Sequence, residues 1–344
     1  MLALCAVLAV VAGACTRPGS GSTNAQPQDL YAAEPSVSDV RSLLGDSAWW
    51  PGPPSFAVRP LDSASMPVAQ RFVITQRFVH IGTAETFDVE LALYSTTSAA
   101  TTQMTNVQTA FGTSASGPKV GDSALYYGSK VSGGAPYVTE TIVRVGQIVV
   151  DIGWARRDGY PKVADMGKNA IKVVARVKDL VAGKVHGNAL ALNDAALLPA
   201  PGLDMTMLGS ARIPVEAALV MLDLPALEAE AQFVHRAGVS DFIFADYALN
   251  NDTHMEVRAS VFQFQSATDA SAWLDLLRGS NPVDQNGVAS FYDAAHGVYQ
   301  FMLAGGTRVG LLICRSTSAV EAASRSCEGP LSRVASSWKL NLGG

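Results

Sequence analysis

The sequence predicts an α+β protein built from two tandem repeats, each an antiparallel sheet covered by helices. Alternating strand segments of the first half recur in the second half in a common register. Val89 corresponds to Val257 at a spacing of 168 residues (257 minus 89). Ser98 corresponds to Ser266 at the same spacing (266 minus 98). Short glycine-containing joints between strands are typical of tight hairpins, which pair strands antiparallel. Apolar residues three or four apart indicate helices, which must cover a face of each sheet.

Length and composition agree with two domains and exclude one class of partner. The chain has 344 residues, of which 48% are hydrophobic and 16% charged, so it is long and apolar enough to bury two cores. Its 30 acidic and 25 basic residues give a net charge of -5 and are scattered without runs. No concentrated positive field is available to hold nucleic acid, and we expect no nucleic-acid partner.

Residues 1–14 are predicted to be a lipoprotein signal peptide. They form an uncharged apolar run that is shorter than the roughly 20 residues needed to span a membrane. The segment from Ala12 to Cys15 resembles a lipobox, in which small residues precede a cysteine that receives diacylglycerol. Ala12 and Ala14 also fit an ordinary secretory cleavage site, but a cysteine followed by a polar segment favours the lipoprotein. We therefore expect acyl chains such as palmitate on Cys15, which would anchor the protein at the extracytoplasmic face of the cell membrane.

The rest of the chain divides into a tether, two repeats and a linker. Residues 15–36 are rich in Ser, Gly, Pro, Gln and Thr and are expected to form a flexible tether, because they have little apolar surface to bury. The first repeat is assigned to residues 37–185 and the second to residues 201–344. Residues 186–200 are assigned to the linker between them.

Each repeat has the same predicted order of elements. A short helix beginning near Leu43 or Leu208 precedes two strands, a helix, three strands and a closing helix. Ser98, and either Ser266 or Thr268, are placed to cap the helix after the second strand. The predicted strands are 71–80, 86–94, 122–127, 137–145 and 147–154 in the first repeat, and 241–249, 254–264, 288–293, 298–304 and 307–314 in the second. The predicted longer helices are 98–111, 164–182, 267–278 and 330–338.

Two cysteines of the mature chain, Cys314 and Cys327, are predicted to form a disulfide. An even pair in an exported protein is typical of such a bond. A loop of this size would stabilise the fold by roughly 3 kcal/mol in the chain-entropy model. A metal site is the alternative, but two thiols without a nearby His or second Cys pair cannot complete a tetrahedral shell.

The element order, an Ala-rich helix after the second strand and the step from Val120 to Ala124 (Val-Gly-Asp-Ser-Ala) carry a resemblance to a known class. They resemble the PsbP-type and sensor-type extracytoplasmic domains of actinobacterial cell-envelope lipoproteins. The resemblance implies a PsbP-like α/β sandwich in each repeat and a binding or scaffolding role in the envelope. The second repeat departs from this step between Gly287 and Ser290 (Gly-Val-Ala-Ser), so any role of Asp122 would belong to the first repeat alone.

No motif predicts a catalytic residue, a metal ligand or a cofactor site. The five histidines are not spaced to aim two rings at one metal. The chain has no Gly-x-Ser-x-Gly elbow and no glycine-rich phosphate loop followed by Lys-Ser or Lys-Thr. Asp122, Glu140 and Asp151 could meet across strands for acid–base chemistry. The alternative, which we favour, is that they are solvated residues at strand ends.

Adjacent tryptophans, Trp49 and Trp50, offer the one predicted contact surface. Neighbours on a strand point to opposite faces, so at least one indole is expected to reach solvent and to contact a partner. The alternative, which we favour, is that these rings fill the seam between the two domains.

The sequence is compatible with three functions. We favour a non-enzymatic, lipid-anchored binding module that holds a ligand or protein in the groove between its two repeats. The second is a structural or assembly subunit of a membrane protein complex. The third, an envelope hydrolase, would require a Ser or Asp in a cleft with a His in hydrogen-bond reach.

Overall fold

The computed structural model describes residues 25, 27–52, 54–58, 69–83, 85–130, 136–187, 190–200, 202, 204–214, 239, 241–294, 297–316 and 327–343. The predicted signal peptide and Cys15 lie outside these ranges. Within them, no helix combines the length and apolarity that crossing a bilayer requires.

The first unit contains a seven-stranded antiparallel sheet. Its strands are β1 Trp49–Pro51, β2 Ser55–Val58, β3 Gln70–His80, β4 Thr86–Tyr94, β5 Ser123–Lys130, β6 Tyr137–Val145 and β7 Ile148–Arg156. They lie in the order β1-β3-β4-β7-β6-β5, and β2 pairs with β3 beyond the end of β1. The hairpins and the paired alternation that predict this sheet are therefore confirmed.

Helices cover both faces of this sheet, not one. They are α1 Pro27–Ala33, α2 Val37–Leu44, α3 Thr97–Phe111 and α4 Val163–Val181. Met104 of α3 packs with Ile142 and Val149 on one face. Val143 and Val150, the next residues along the strands, point the other way and pack in the core that α4 covers.

The second unit repeats this architecture with six strands. They are β8 Met205–Pro214, β9 Asp241–Leu249, β10 Asp252–Gln263, β11 Val288–Asp293, β12 Val298–Gly305 and β13 Arg308–Ser316, in the order β11-β12-β13-β10-β9-β8. After the short helix α5 Leu192–Ala195, the helices α6 Ala267–Arg278 and α7 Glu328–Asn341 cover opposite faces. Two tandem sheets with helices, as the sequence predicts, are thus confirmed. The disulfide between Cys314 and Cys327 is also confirmed, and it joins β13 to the start of α7.

The predicted first helix of each repeat, beginning near Leu43 or Leu208, is wrong. The helix α2 ends at Leu44, where Gly45 adopts the left-handed conformation (φ 74°) that terminates a helix. Leu208 lies in the strand β8, at an irregularity in its pairing with β9. The sequence Leu-Gly occurs at residues 44–45 and again at residues 208–209, and it adopts two different structures. In the second repeat, pairing with β9 overrides the local signal for a helix end.

One predicted helix cap is also wrong. Thr96, not Ser98, caps α3, and its side chain accepts a hydrogen bond from the amide of Ala99 at 3.0 Å. Ser266 caps α6 as predicted, through the amide of Asp269 at 3.1 Å.

The tether cannot extend to residue 36. Residues 27–33 form α1, which packs on α4 and completely buries Leu30 and Ala33. The average composition of this segment conceals two apolar residues placed three apart, which is enough to dock one helical turn. Ser36, at the predicted end of the tether, caps α2.

The space between the two units is packed, not open. Phe56 of β2 lies 5.7 Å from Phe72 and 6.0 Å from Phe244 of the second unit, measured between ring centroids. Gly209 of β8 faces the same ring, and an added Cβ at that position would lie 2.9 Å from it. One apolar core therefore runs through both units. Around Phe56, described side chains fill the inter-repeat groove favoured for ligand binding.

Candidate functional site

A cavity of about 260 Å³ lies in the first unit, where the turn between α1 and α2 meets β1, β3 and α4. We call it the corner pocket. The residues that define its chemistry are Tyr31, Glu34, Ser36, Gln76, Phe78 and Arg176.

The carboxyl group of Glu34 is the unusual feature of the corner pocket. Glu34 is only 4% exposed, and neither of its oxygens has a hydrogen-bond partner among the residues that the structure describes. Burial raises its pKa well above the ordinary value, and the charge of Glu90 raises it further, against a smaller opposing effect of Arg176. Buried polar groups are nearly always hydrogen-bonded, so an orphan carboxyl on a cavity wall needs an explanation.

The nearest cation does not supply the missing partner. One guanidinium nitrogen of Arg176 contacts the Asp39 carboxylate at 2.5 Å, and another donates to the carbonyl of Ala32 at 3.1 Å. The same Asp39 oxygen also accepts hydrogen bonds from the Ser36 amide and hydroxyl, at 2.8 and 2.7 Å. Arg176 is therefore held at the rim of the pocket by Asp39, and Glu34 stays unpaired.

The remaining walls of the corner pocket are apolar or already hydrogen-bonded. Phe78 of β3 is almost completely buried. The side-chain amide of Gln76 donates to the carbonyls of Gly52 and Arg77. Burial, and secondarily the charge of Glu34, raises the pKa of Tyr31, so its hydroxyl stays protonated. The pocket thus presents two aromatic side chains and one carboxyl group with free acceptor capacity.

A second group of carboxyls lies on the face of the first sheet that α3 partly covers. This acidic face consists of Asp88, Glu90, Glu140 and Asp151. Glu90 and Asp151 are direct neighbours across β4 and β7. Burial raises the pKa of Asp151 to about 8, with further contributions from Glu140, Glu90 and Asp88. Arg77 pairs with Asp88 at 2.8 Å, so only one of the four acids has a salt bridge among the described residues.

From the sequence, two of these four acids were named as possible neighbours across strands, and the other two were not. Glu140 and Asp151 belong to the same face, but Asp122 lies apart, paired with Arg144 at 2.9 Å and bonded to the Gly146 amide at 2.8 Å. Asp88 and Glu90 were identifiable, since both occupy the polar positions of an alternating strand. Glu34 had no such signal, because the elements that bury it are distant in sequence.

The corresponding position in the second unit is neutralised and covered. Arg258 of the second repeat corresponds to Glu90 of the first repeat. Arg258 lies opposite Asp246 across β10 and β9, as Glu90 lies opposite Thr75 across β4 and β3. Arg258 contacts both Asp246 oxygens, at 2.8 and 2.9 Å, and donates to the Pro54 carbonyl of the first unit at 2.8 Å. The two repeats therefore use one sheet position differently, for the seam in the second unit and for an acidic face in the first.

The predicted aromatic contact is wrong for Trp49. Its side chain is 2% exposed and meets the His80 ring edge-on, with the ring centroids 5.3 Å apart. The strand β1 is covered by α2, and Arg41 donates to the carbonyl of Trp49 at 2.9 Å, which draws this residue into the core. Trp50 is half-buried against the same core, and its contact with a partner stays a prediction.

In the described part of the chain, no three His, Cys, Asp or Glu residues are grouped closely enough to hold a metal ion. His80 lies 2.9 Å from Asp46, and its second ring nitrogen accepts a bond from the Thr83 amide at 3.2 Å. Both nitrogens of this ring are therefore engaged within the first unit.

Comparison with known proteins gives only a distant likeness in structure. No family model matches the chain, and no curated protein does. The crystal structure of the extracellular domain of PknH from Mycobacterium tuberculosis is similar at 14% identity and a TM-score of 0.34. The similarity covers 47% of this chain and 100% of that one, and at this level it concerns the fold alone.

Proposed function

We propose that this protein is a lipid-anchored, extracytoplasmic, non-enzymatic binding module whose ligand occupies the corner pocket. The observation that carries the proposal is the Glu34 carboxyl, which is buried at a cavity wall with both oxygens unpaired. Leaving such a group unsatisfied costs about 1–3 kcal/mol, which a ligand that bonds to it would recover. A concave, largely apolar site with few polar groups is typical of ligand pockets.

The place of the pocket in the chain supports a role beside a membrane. The helix α1, which forms one wall, begins twelve residues after Cys15 (27 minus 15). A fully extended chain of that length spans at most about 40 Å. If Cys15 carries the lipid, the corner pocket is held close to the bilayer. The disulfide between Cys314 and Cys327 supports an oxidising compartment.

Replacing Cys15 by Ser tests the anchor. We expect the variant to move from the membrane fraction to the soluble extracytoplasmic fraction, because a hydroxyl cannot form the thioether to diacylglycerol. Cell fractionation with immunodetection measures this, and intact-mass analysis of the wild type checks for the added lipid. A variant that stays with the membrane, or a wild type without added mass, would contradict anchoring through this residue.

A pocket-filling substitution tests the binding site. Val37 lines the corner pocket, whereas Val181 lies at the exposed end of α4. We expect native mass spectrometry of full-length protein from cell envelopes to detect a bound small molecule on the wild type and on Val181→Trp. Val37→Trp should lose it. A wild type without any bound small molecule, purified instead with a stable protein partner, would favour the assembly-subunit alternative.

A further inference from the structure

We infer that the corner pocket takes a small organic ammonium ion, such as a protonated primary amine, with its charged nitrogen on the Glu34 carboxylate, which must turn toward the cavity because both of its oxygens are buried. The inference rests on the proposed function and adds the chemical class of the ligand. The cavity of about 260 Å³ has room for several water-sized groups.

The hydrogen-bonding groups of the pocket require a ligand that donates. The donors of Arg176 are directed to Asp39 and to the carbonyl of Ala32, and the amide nitrogen of Gln76 is directed to two backbone carbonyls. Among the fully buried side-chain atoms of the pocket that the structure describes, the two oxygens of Glu34 are the ones without a hydrogen-bond partner. An ionised carboxylate only accepts hydrogen bonds, and an ammonium group only donates them.

The charges in the pocket also favour a cation. Glu34 and Glu90 repel each other when both are ionised, and the positive charge of Arg176 is balanced by Asp39. An anionic ligand would meet the same repulsion. A neutral ligand would leave Glu34 protonated, whereas an ammonium ion would form short, charge-assisted bonds to the ionised carboxylate. Tyr31 and Phe78 provide the aromatic surface against which an alkyl ammonium packs well.

Binding should therefore release a proton. The titratable and charged groups that interact with Glu34 are Tyr31 from α1, Glu90 from β4 and Arg176 from α4. Asp39 from α2 pairs with Arg176. Because the pKa of Glu34 is raised when the pocket is empty, the carboxyl must lose its proton to pair with an ammonium ion. Affinity is then expected to increase with pH until Glu34 is ionised in the empty pocket.

Titration calorimetry of the full-length protein with butylammonium tests the inference, with 1-butanol and butyrate as matched neutral and anionic probes. Measurements at pH 6 in two buffers of different ionisation enthalpy count the protons released. We expect butylammonium to bind with release of a proton and the other two probes to bind at least tenfold more weakly. Glu34→Gln, which keeps the size of the side chain, should lower the butylammonium affinity at least tenfold, while Glu328→Gln at the exposed start of α7 should not change it.

A second variant acts through Arg176. Asp39→Asn removes the partner that holds this guanidinium, so Arg176 becomes available to pair with Glu34 and should weaken butylammonium binding. Equal binding of 1-butanol or butyrate, or unchanged affinity in both variants, would overturn the ammonium assignment. A neutral or anionic native ligand that Val37→Trp displaces would overturn it as well, but would leave the proposed function in place. A pocket that is empty in native protein and does not bind butylammonium would overturn both.

Discussion

Replacing Arg258 by Leu should destabilise the protein by about 3–5 kcal/mol, the range expected when one partner of a buried ion pair is removed. Asp246 is completely buried and Arg258 is 8% exposed. Without the guanidinium, the carboxylate would have lost both of its short contacts, and the Pro54 carbonyl of the first unit would lose its donor. Chemical denaturation followed by circular dichroism measures the loss.

Two further variants show whether the buried charge is the cause. Arg333→Leu removes a surface pair with Asp204, in which Arg333 is 64% exposed, and should change stability by less than about 1 kcal/mol. The double variant Arg258→Leu with Asp246→Leu should be more stable than Arg258→Leu alone, because no unpaired charge is left in the seam. A double variant that is less stable than the single one would contradict this account and indicate that packing across the seam dominates.

Replacing Asp151 by Asn should stabilise the protein at alkaline pH. The folded-state pKa of about 8 lies above the ordinary value of 3.8, so the folded protein retains a proton that the unfolded chain releases. The contribution of this carboxyl to stability is therefore full below about pH 4 and is lost as the pH rises toward 8. An uncharged Asn loses nothing over this interval. At pH 9 we expect a gain of about 2 kcal/mol or more, since one pKa unit corresponds to about 1.4 kcal/mol.

Thermal unfolding at pH 5, 7 and 9 measures this gain. The matched control is Asp158→Asn, since Asp158 is 67% exposed and pairs with Arg156 at the surface. The difference between Asp151→Asn and the wild type should grow from pH 5 to pH 9, and the control should show no such trend. If the two variants gave parallel curves, the crowding of carboxyls on the acidic face would have no thermodynamic effect.

Local patterns were sufficient for the ten predicted strands, the four predicted longer helices and one covalent link. Alternation along β4 and β10 and the hairpin glycines predicted the strands, because side chains on a strand have a period of two and tight turns require particular residues. The pair Cys314 and Cys327 needed only an even count and an exported context. The predictions failed where a local signal was outweighed by packing, as at Leu208, which pairs into a sheet, and at Leu30, which docks a helix within an otherwise polar segment.

The sequence by itself determined two repeats and their strand order along the chain. Only the tertiary structure decided that Trp49 is buried, that the seam is filled and that Glu34 faces a cavity. Glu34 lines the corner pocket together with Gln76 and Arg176, which are 42 and 142 residues further along the chain (76 minus 34; 176 minus 34). Whether a carboxyl is solvated, paired or left unpaired depends on the groups that the folded chain brings around it, and no periodicity in the sequence records those distant neighbours.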